Sequence, residues 1–248
     1  MTTQHDPDAA RLGPRVENWT PPPHPKGITL DGRHCRLVPL SADDHGADLF
    51  AANAKDTAAS GWDYLPYGPF AQVDEYKHWL IDAASGDDPY FFAVEHKELD
   101  CWAGIASYLR INPQAGSIEV GHIRFSPLLQ STIAATEAMY LMMRWAFDAG
   151  YRRYEWKCNA LNTRSRTAAQ RLGFSYEGVF RQATMSKGRN RDTAWFAIID
   201  SEWPAICECY ETWLDDSNFD AEGRQLRSLS ALTAPLLFRK DDGTCGRG

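Results

Sequence analysis

Little in this chain suits a metal, a membrane or a nucleic acid. No apolar run approaches the roughly 20 residues that span a bilayer, and the polar, proline-containing first residues do not read as a secretory leader. The seven histidines are dispersed without an H-x-x-x-H pair, so the spacing that sets two imidazoles on one helix face for zinc is missing. The expectation is no metal. The cysteines Cys35, Cys101, Cys158, Cys207, Cys209 and Cys245 are scattered. Only Cys207 and Cys209 are close, and C-x-C without a second pair is not a zinc site. In a chain this long they read as free thiols of a reducing compartment, the cytoplasm. Positive charge is also short, with 26 Lys and Arg against 33 Asp and Glu. That argues against a general nucleic-acid or membrane surface, though not against a local basic pocket. Glycine, finally, is absent from Gln130 to Ala138, QSTIAATEA.

What is present suits one globular domain. Apolar residues make up 44% of 248, enough for a single large core. Residues 1–26, ending in PPPHPKG, read as an extended or disordered arm, and 215–248 as a polar tail with one short helix between Glu222 and Leu232. Between them, strand and helix signals alternate. His34 to Leu40 reads as a strand, Ser41 caps a helix to Asn53, and a second helix runs from Gln72 to Ala84. Three strands follow, at Tyr90 to Glu95, Trp102 to Asn112 and Ser117 to Phe125, the last two joined by the turn PQAG. Thr132 to Phe147 is a helix with Ala134, Ala138, Leu141, Met142 and Trp145 on one face. Then come a strand at Tyr151 to Cys158, a helix at Ser165 to Leu172 stopped by Gly173, a hairpin of Phe180 to Ser186 and Thr193 to Ile199 across KGRNRD, and a helix from Glu202 to Leu214. The order predicts a mixed α+β domain.

The chemistry concentrates in the central strand–loop–helix–strand, Glu119 to Cys158. The first turn of its helix has free N–H groups and a positive dipole end. Ser131 to Ala135 therefore suits an anion such as pyrophosphate, with the Ser131 and Thr132 hydroxyls as extra donors. The plain alternative is a capped core helix that binds nothing.

Beyond this unit, Asn162, Ser165, Ala168, Leu172, Gly173 and Phe174 fall at N-x-x-S-x-x-A-x-x-x-L-G-F spacing. With IEVGH at Ile118 to His122, the Gln130 to Ala138 loop and EGVFRQATMSKGRNRDTAWFAIIDSEW near the end, the chain resembles the GNAT superfamily of acyl-CoA-dependent N-acyltransferases, in particular its RimJ/RimL-type branch. The resemblance covers about Gly27 to Leu214. It implies an αβα sandwich whose mostly antiparallel mixed sheet is splayed between its fourth and fifth strands, with the acyl-CoA arm in the gap. Backbone groups of Ile123, Arg124 and Phe125 would pair with pantetheine. Gln130, Ser131, Thr132, Ile133, Ala134 and Ala135 would take the pyrophosphate, Asn162 the pantetheine or the amine, and Arg164 and Arg166 the CoA phosphates.

The chain departs from the family pattern in three places. Ile133 stands at the first glycine of a Q/R-x-x-G-x-G/A loop, and a β-branched residue resists positive φ, so ordinary helical geometry is expected there. Ala169 stands where many relatives have a tyrosine acid. The strand before Pro127 has one residue too many, which predicts a β-bulge in it and shifts the register of Glu119.

Acyl transfer to an amine needs a base for the amine, polarisation of the thioester and a proton for the leaving thiolate. Glu119 is the first candidate base, His122 the second, and Ser165 the candidate donor to the thiolate. Each has a structural alternative: a solvent-facing strand residue, a satisfied core histidine, a helix-start serine. Trp62, Tyr64 and Tyr67, within WDYLPYGPF, form either an acceptor platform or a hydrophobic loop on the core or a dimer contact, which leaves a homodimer open. KGRNRD reads as a solvated turn. The resemblance implies an N-acetyltransferase using acetyl-CoA and a primary amine, a protein N-terminus or a small molecule, in a ternary complex. The alternatives are a non-catalytic acyl-CoA-binding module and an enzyme with a bulkier donor such as succinyl-CoA.

Overall fold

The computed structural model describes residues 9–243. Cys245 and the outermost parts of the expected arm and tail lie outside them. A four-residue helix α1 (Ala9–Leu12) comes first. It is followed by β1 (Leu30–Asp31), β2 (Cys35–Pro39), α2 (Ala42–Asn53), α3 (Val73–Ala84), β3 (Tyr90–His96), β4 (Cys101–Asn112) and β5 (Ser117–Phe125). Then come α4 (Ile133–Asp148), β6 (Arg153–Asn159), α5 (Thr163–Arg171), β7 (Ser175–Ser186), β8 (Arg189–Ile199), α6 (Trp203–Leu214) and α7 (Leu229–Thr233).

The helices start where local chemistry directs. Ser41 Oγ accepts the Asp44 N–H at 3.2 Å ahead of α2, and Thr132 Oγ1 accepts the Ala135 N–H at 3.1 Å ahead of α4. Each such cap satisfies one of the orphan donors of a first turn. The stripe Ala134, Ala138, Leu141 and Met142 is buried, as the 3.6-residue period of α4 demands.

The eight strands run in the order β1-β2-β3-β4-β5-β6-β8-β7. Every neighbour is antiparallel except β5 and β6. Two cores result. One packs α4 and α6 on one face of the sheet, around Tyr108, Tyr154, Phe174 and Phe196. The other packs α2 and α3 on the opposite face, around Leu49, Trp62, Tyr76 and Leu80. This is the expected αβα sandwich.

The parallel pair is short. β5 and β6 are registered only from Ser117↔Arg153 to Val120↔Trp156 and then diverge, while β4 follows β5 to Gly104↔Phe125 and β8 follows β6 to Asn159↔Thr193. The splay is thus between the fourth and fifth strands once the two-residue β1 is set aside. The extra residue of β5 forms a bulge. Ile105 pairs with Arg124 and Ser107 with Gly121, so His122 and Ile123 together oppose Ala106, and His122 takes a left-handed φ of 50°.

One turn differs from expectation, and both ends of the chain make contacts that the sequence does not show. KGRNRD is not all turn: only Lys187 and Gly188 connect β7 to β8, with Ser186 opposite Arg189. Their φ values of 49° and 72° suit a two-residue hairpin whose twist lets the ladder continue through Asp192. The N-terminal arm lies against the body. Trp19 Nε1 donates to Gln114 O at 3.2 Å, and Pro23 O accepts the Tyr151 hydroxyl at 3.0 Å. The tail packs too, with Leu229 buried, the Tyr176 N–H donating to Arg239 O and Asp241 paired with Arg166.

Candidate active site

Where β5 and β6 part, a cleft of about 1250 Å3 opens. The β5 edge from Gly121 to Phe125 forms one wall, and Lys157 to Asn159 with the start of α5 forms the other. The first turn of α4 lines the cleft, as do Trp213, Phe219 and Gln225. The loop with Asp63 and Tyr64 also lines it.

The glycine-free loop meets its conformational demand two residues earlier than the family spacing implies. Ser131 takes the left-handed φ of 61°, which lets Thr132 be an extended cap and Ile133 an ordinary first helical residue. The strain is shifted away from a β-branched side chain to a small polar one. Thr132 occupies the Ala135 N–H. The N–H groups of Ile133 and Ala134, first in the helix, have no intrahelical acceptor, so the end of α4 still offers donors and a positive dipole to an anion. Gln130 is not a free donor, because its Nε2 bonds Phe125 O at 2.7 Å. Arg171, which sequence reading passed over, stands beside this turn. Its guanidinium donates to Thr136 Oγ1 at 3.1 Å and lies over the Trp213 ring.

At the bulge, the imidazole of His122 is stacked on Tyr67 and packed on Phe91, with Nδ1 3.1 Å from the Tyr67 hydroxyl. Burial, reinforced by Arg110 and Arg191, pulls its pKa down to about 4. The ring is neutral at physiological pH. Glu119, 3% exposed, is clamped between Arg110 at 2.7 Å and Lys157 at 2.9 Å. Burial raises its pKa from the usual carboxylate range, and the two cations only partly offset this.

The GNAT acetyltransferase domain model matches residues 34–175. The chain belongs to that family. This GNAT chain is 46% identical to a GCN5-related N-acetyltransferase from Brucella melitensis of known structure, over 88% of its own length and all of the other's, with a TM-score of 0.86. It is 41% identical to a probable GNAT-family acetyltransferase from Chromobacterium violaceum, covering 77% of this chain and 96% of that one with a TM-score of 0.72. The uncharacterised N-acetyltransferase YnaD of Bacillus subtilis is 24% identical over 141 residues, 56% of this chain and 81% of that protein.

Within the GNAT frame, the remaining site residues separate into two groups. Ser165, Asn162 and Arg164 line the cleft. Ser165 Oγ accepts the Trp156 indole N–H at 3.0 Å, and Asn162 Oδ1 accepts the Ser165 N–H at 3.1 Å as the cap of α5. Tyr64 also lines the cleft, with its hydroxyl donating to Leu161 O at 3.2 Å. Other expected side chains face elsewhere. Arg166 is buried and bonded to Asp241 at 2.6 Å and to Ala160 O at 2.9 Å, so it does not face a CoA phosphate. The Arg124 side chain is 1% exposed, paired with Asp56 and set over Trp62, leaving only its backbone at the open β5 edge. Trp62 sits in the second core and Tyr67 supports His122, so neither makes an acceptor platform. Large flat side chains between two helices gain more from burial than from exposure on a loop. The Ala134 side chain is core, and only its N–H can serve the site.

Sequence reading missed Arg110, Lys157, Arg171 and Arg191 on the cleft wall. Alternation along β6 and β8 hints at Lys157 and Arg191, but nothing local shows that these strands border an open gap.

Proposed function

We propose that this GNAT protein transfers an acetyl group from acetyl-CoA to a primary amine by direct attack in a ternary complex. The observation that carries this reading is the splayed cleft, where an unpaired strand edge and the free amides of α4 converge on one cavity. The β5 edge from His122 to Arg124 has no partner strand on the β6 side, so its backbone groups are available to an amide-bearing pantetheine arm and to a thioester carbonyl, whereas Phe125 O is held by Gln130 and Arg124. The first turn of α4, with Arg171 and Arg164 near it, suits the pyrophosphate end.

In the transfer, the amine nitrogen bonds to the thioester carbonyl carbon, the C–S bond breaks, and the CoA thiolate gains a proton as the amine loses one. Glu119, with its raised pKa, is the proposed base, acting through water, with Arg110 and Lys157 both holding its Oε2. His122, neutral and at the bulge, orders the acceptor end. The Ser165 hydroxyl, polarised by the Trp156 indole, donates to the thiolate. Cys35 and Cys158 are buried free thiols whose pKa values burial raises, which supports transfer without a cysteine-bound intermediate and, with the other free cysteines, a cytoplasmic setting. The RimJ/RimL-type resemblance suggests a protein N-terminus as acceptor. The bridging of the 62–68 loop to both Leu161 and Lys187 favours a small amine instead.

The test pairs calorimetry for acetyl-CoA with thiol release over a panel of amines and peptides. Binding with turnover is expected. Binding without any turnover would favour a non-catalytic module, and tighter use of succinyl-CoA in donor competition would change the donor.

A further inference from the structure

A chain of ion pairs with alternating sign starts on the cleft wall at Arg110, Glu119 and Lys157 and continues away from it. Arg110 meets Glu119 at 2.7 Å, Glu119 meets Lys157 at 2.9 Å and Lys157 meets Glu155 at 2.6 Å. Glu155 then meets Arg153 at 2.6 Å, and Arg153 meets Glu177 at 2.6 Å. Three cations match three carboxylates, and the chain is internally neutral. Arg191 lines the same cleft and is left over. It makes no hydrogen bond or ion pair among the described residues, and its Nε is shut away from solvent without a partner. The guanidinium thus has no carboxylate partner of its own, and the planar fork of its Nη groups fits a ligand carboxylate with two parallel bonds.

Position says which ligand. Arg191 lies on β8 two residues before Thr193, which opposes Asn159 of β6, and the same hairpin is bonded to the 62–68 loop through Lys187, so it stands on that loop's side of the cleft. The other acidic wall residue, Asp63, forms no ion pair with it. Two bridges tie the 62–68 loop to neighbouring segments. Lys187, at the tip of the hairpin that carries Arg191, donates to Trp62 O at 2.9 Å and Gly68 O at 3.1 Å. On the other side the Tyr64 hydroxyl reaches Leu161 O. A long peptide would have to break one of these bridges.

We propose that Arg191 anchors a carboxylate carried by the acceptor, which is therefore a small amine of the amino-acid type. This rests on the N-acetyltransferase reading above. Arg191 is a positioning residue: it holds the carboxylate so that the neighbouring amine faces the thioester carbonyl.

The experiment compares kcat/KM for free α-amino acids, the matching amino-acid amides and aminoalkyl phosphates, in the wild type and in Arg191→Gln and Arg191→Lys. The wild type is expected to prefer acids to amides by roughly 100-fold. That ratio should collapse toward unity in Arg191→Gln and recover in part in Arg191→Lys, with the thermal midpoint of both variants confirming that they fold. Equal rates on acids and amides, a ratio unmoved by Arg191→Gln, or a preference for aminoalkyl phosphates would overturn the proposal while leaving acetyl transfer intact. Should no amine turn over, calorimetry with N-acetyl amino acids still decides: binding lost in Arg191→Gln supports the anchor, and no binding by the wild type refutes it.

Discussion

The Tyr67 hydroxyl lies 3.1 Å from Nδ1 of His122, with the two rings 9° from parallel and 5.6 Å apart. The pair joins a residue of the loop between α2 and α3 to the bulge of β5. It fixes the imidazole against a backbone that already carries a left-handed φ at that position. Tyr67→Phe keeps the stack and deletes the hydrogen bond. Its expected cost is about 1 kcal/mol in denaturant unfolding, with a fall in kcat that exceeds any rise in the KM for acetyl-CoA. A change confined to acetyl-CoA KM would remove His122 from the acceptor end.

Stability should fall in acid partly through His122. The unfolded chain's imidazole titrates near 6.5, whereas burial holds the native one to about 4. Between these values the unfolded state binds more protons, so unfolding is favoured as pH falls through that window. Urea unfolding at pH 7 and pH 5 should show a smaller acid loss in His122→Phe than in the wild type. Parallel curves would mean that the ring is protonated freely in the native state.

Asn162 has a structural duty, since its Oδ1 caps α5. Two variants separate this from any role toward ligand. Asn162→Ala loses the cap and should cost about 1 kcal/mol. Asn162→Asp keeps an acceptor for the Ser165 N–H but loses the amide donor, so it should remain within roughly 0.5 kcal/mol of the wild type while acetyl transfer drops. An active Asn162→Asp would leave Asn162 with the cap alone.

Ser131 takes the conformation that glycine would adopt without strain. Ser131→Gly should therefore raise the thermal midpoint, with relief of order 1 kcal/mol, and leave the KM for acetyl-CoA close to that of the wild type. Ser131→Val, β-branched at φ 61°, should instead disturb the turn and raise that KM several-fold. If both variants bind acetyl-CoA as the wild type does, the pyrophosphate does not rest on this turn.

Periodicity and capping chemistry made most of the architecture legible. The buried stripe of α4, the Ser41 and Thr132 caps, the short turns of the meander and the surplus residue in β5 are all local properties, and each appears where its residues direct. The sequence by itself also determined that Ile133 would be helical, because a branched Cβ excludes the alternative; it left open that Ser131 would take the left-handed turn. Tertiary structure alone decided which side chains meet in the cleft. Arg166 and Arg124 are indistinguishable in sequence from surface arginines, yet burial beside Asp241 and Asp56 commits both to the interior. Arg191, in a run that reads as a solvated turn, is left unpaired on the cleft wall because the neighbouring charges, drawn from β4, β5, β6 and β7, neutralise one another without it. Helix faces and turns follow from near neighbours along the chain, whereas the balance of charge in a cavity is set by strands far apart in sequence.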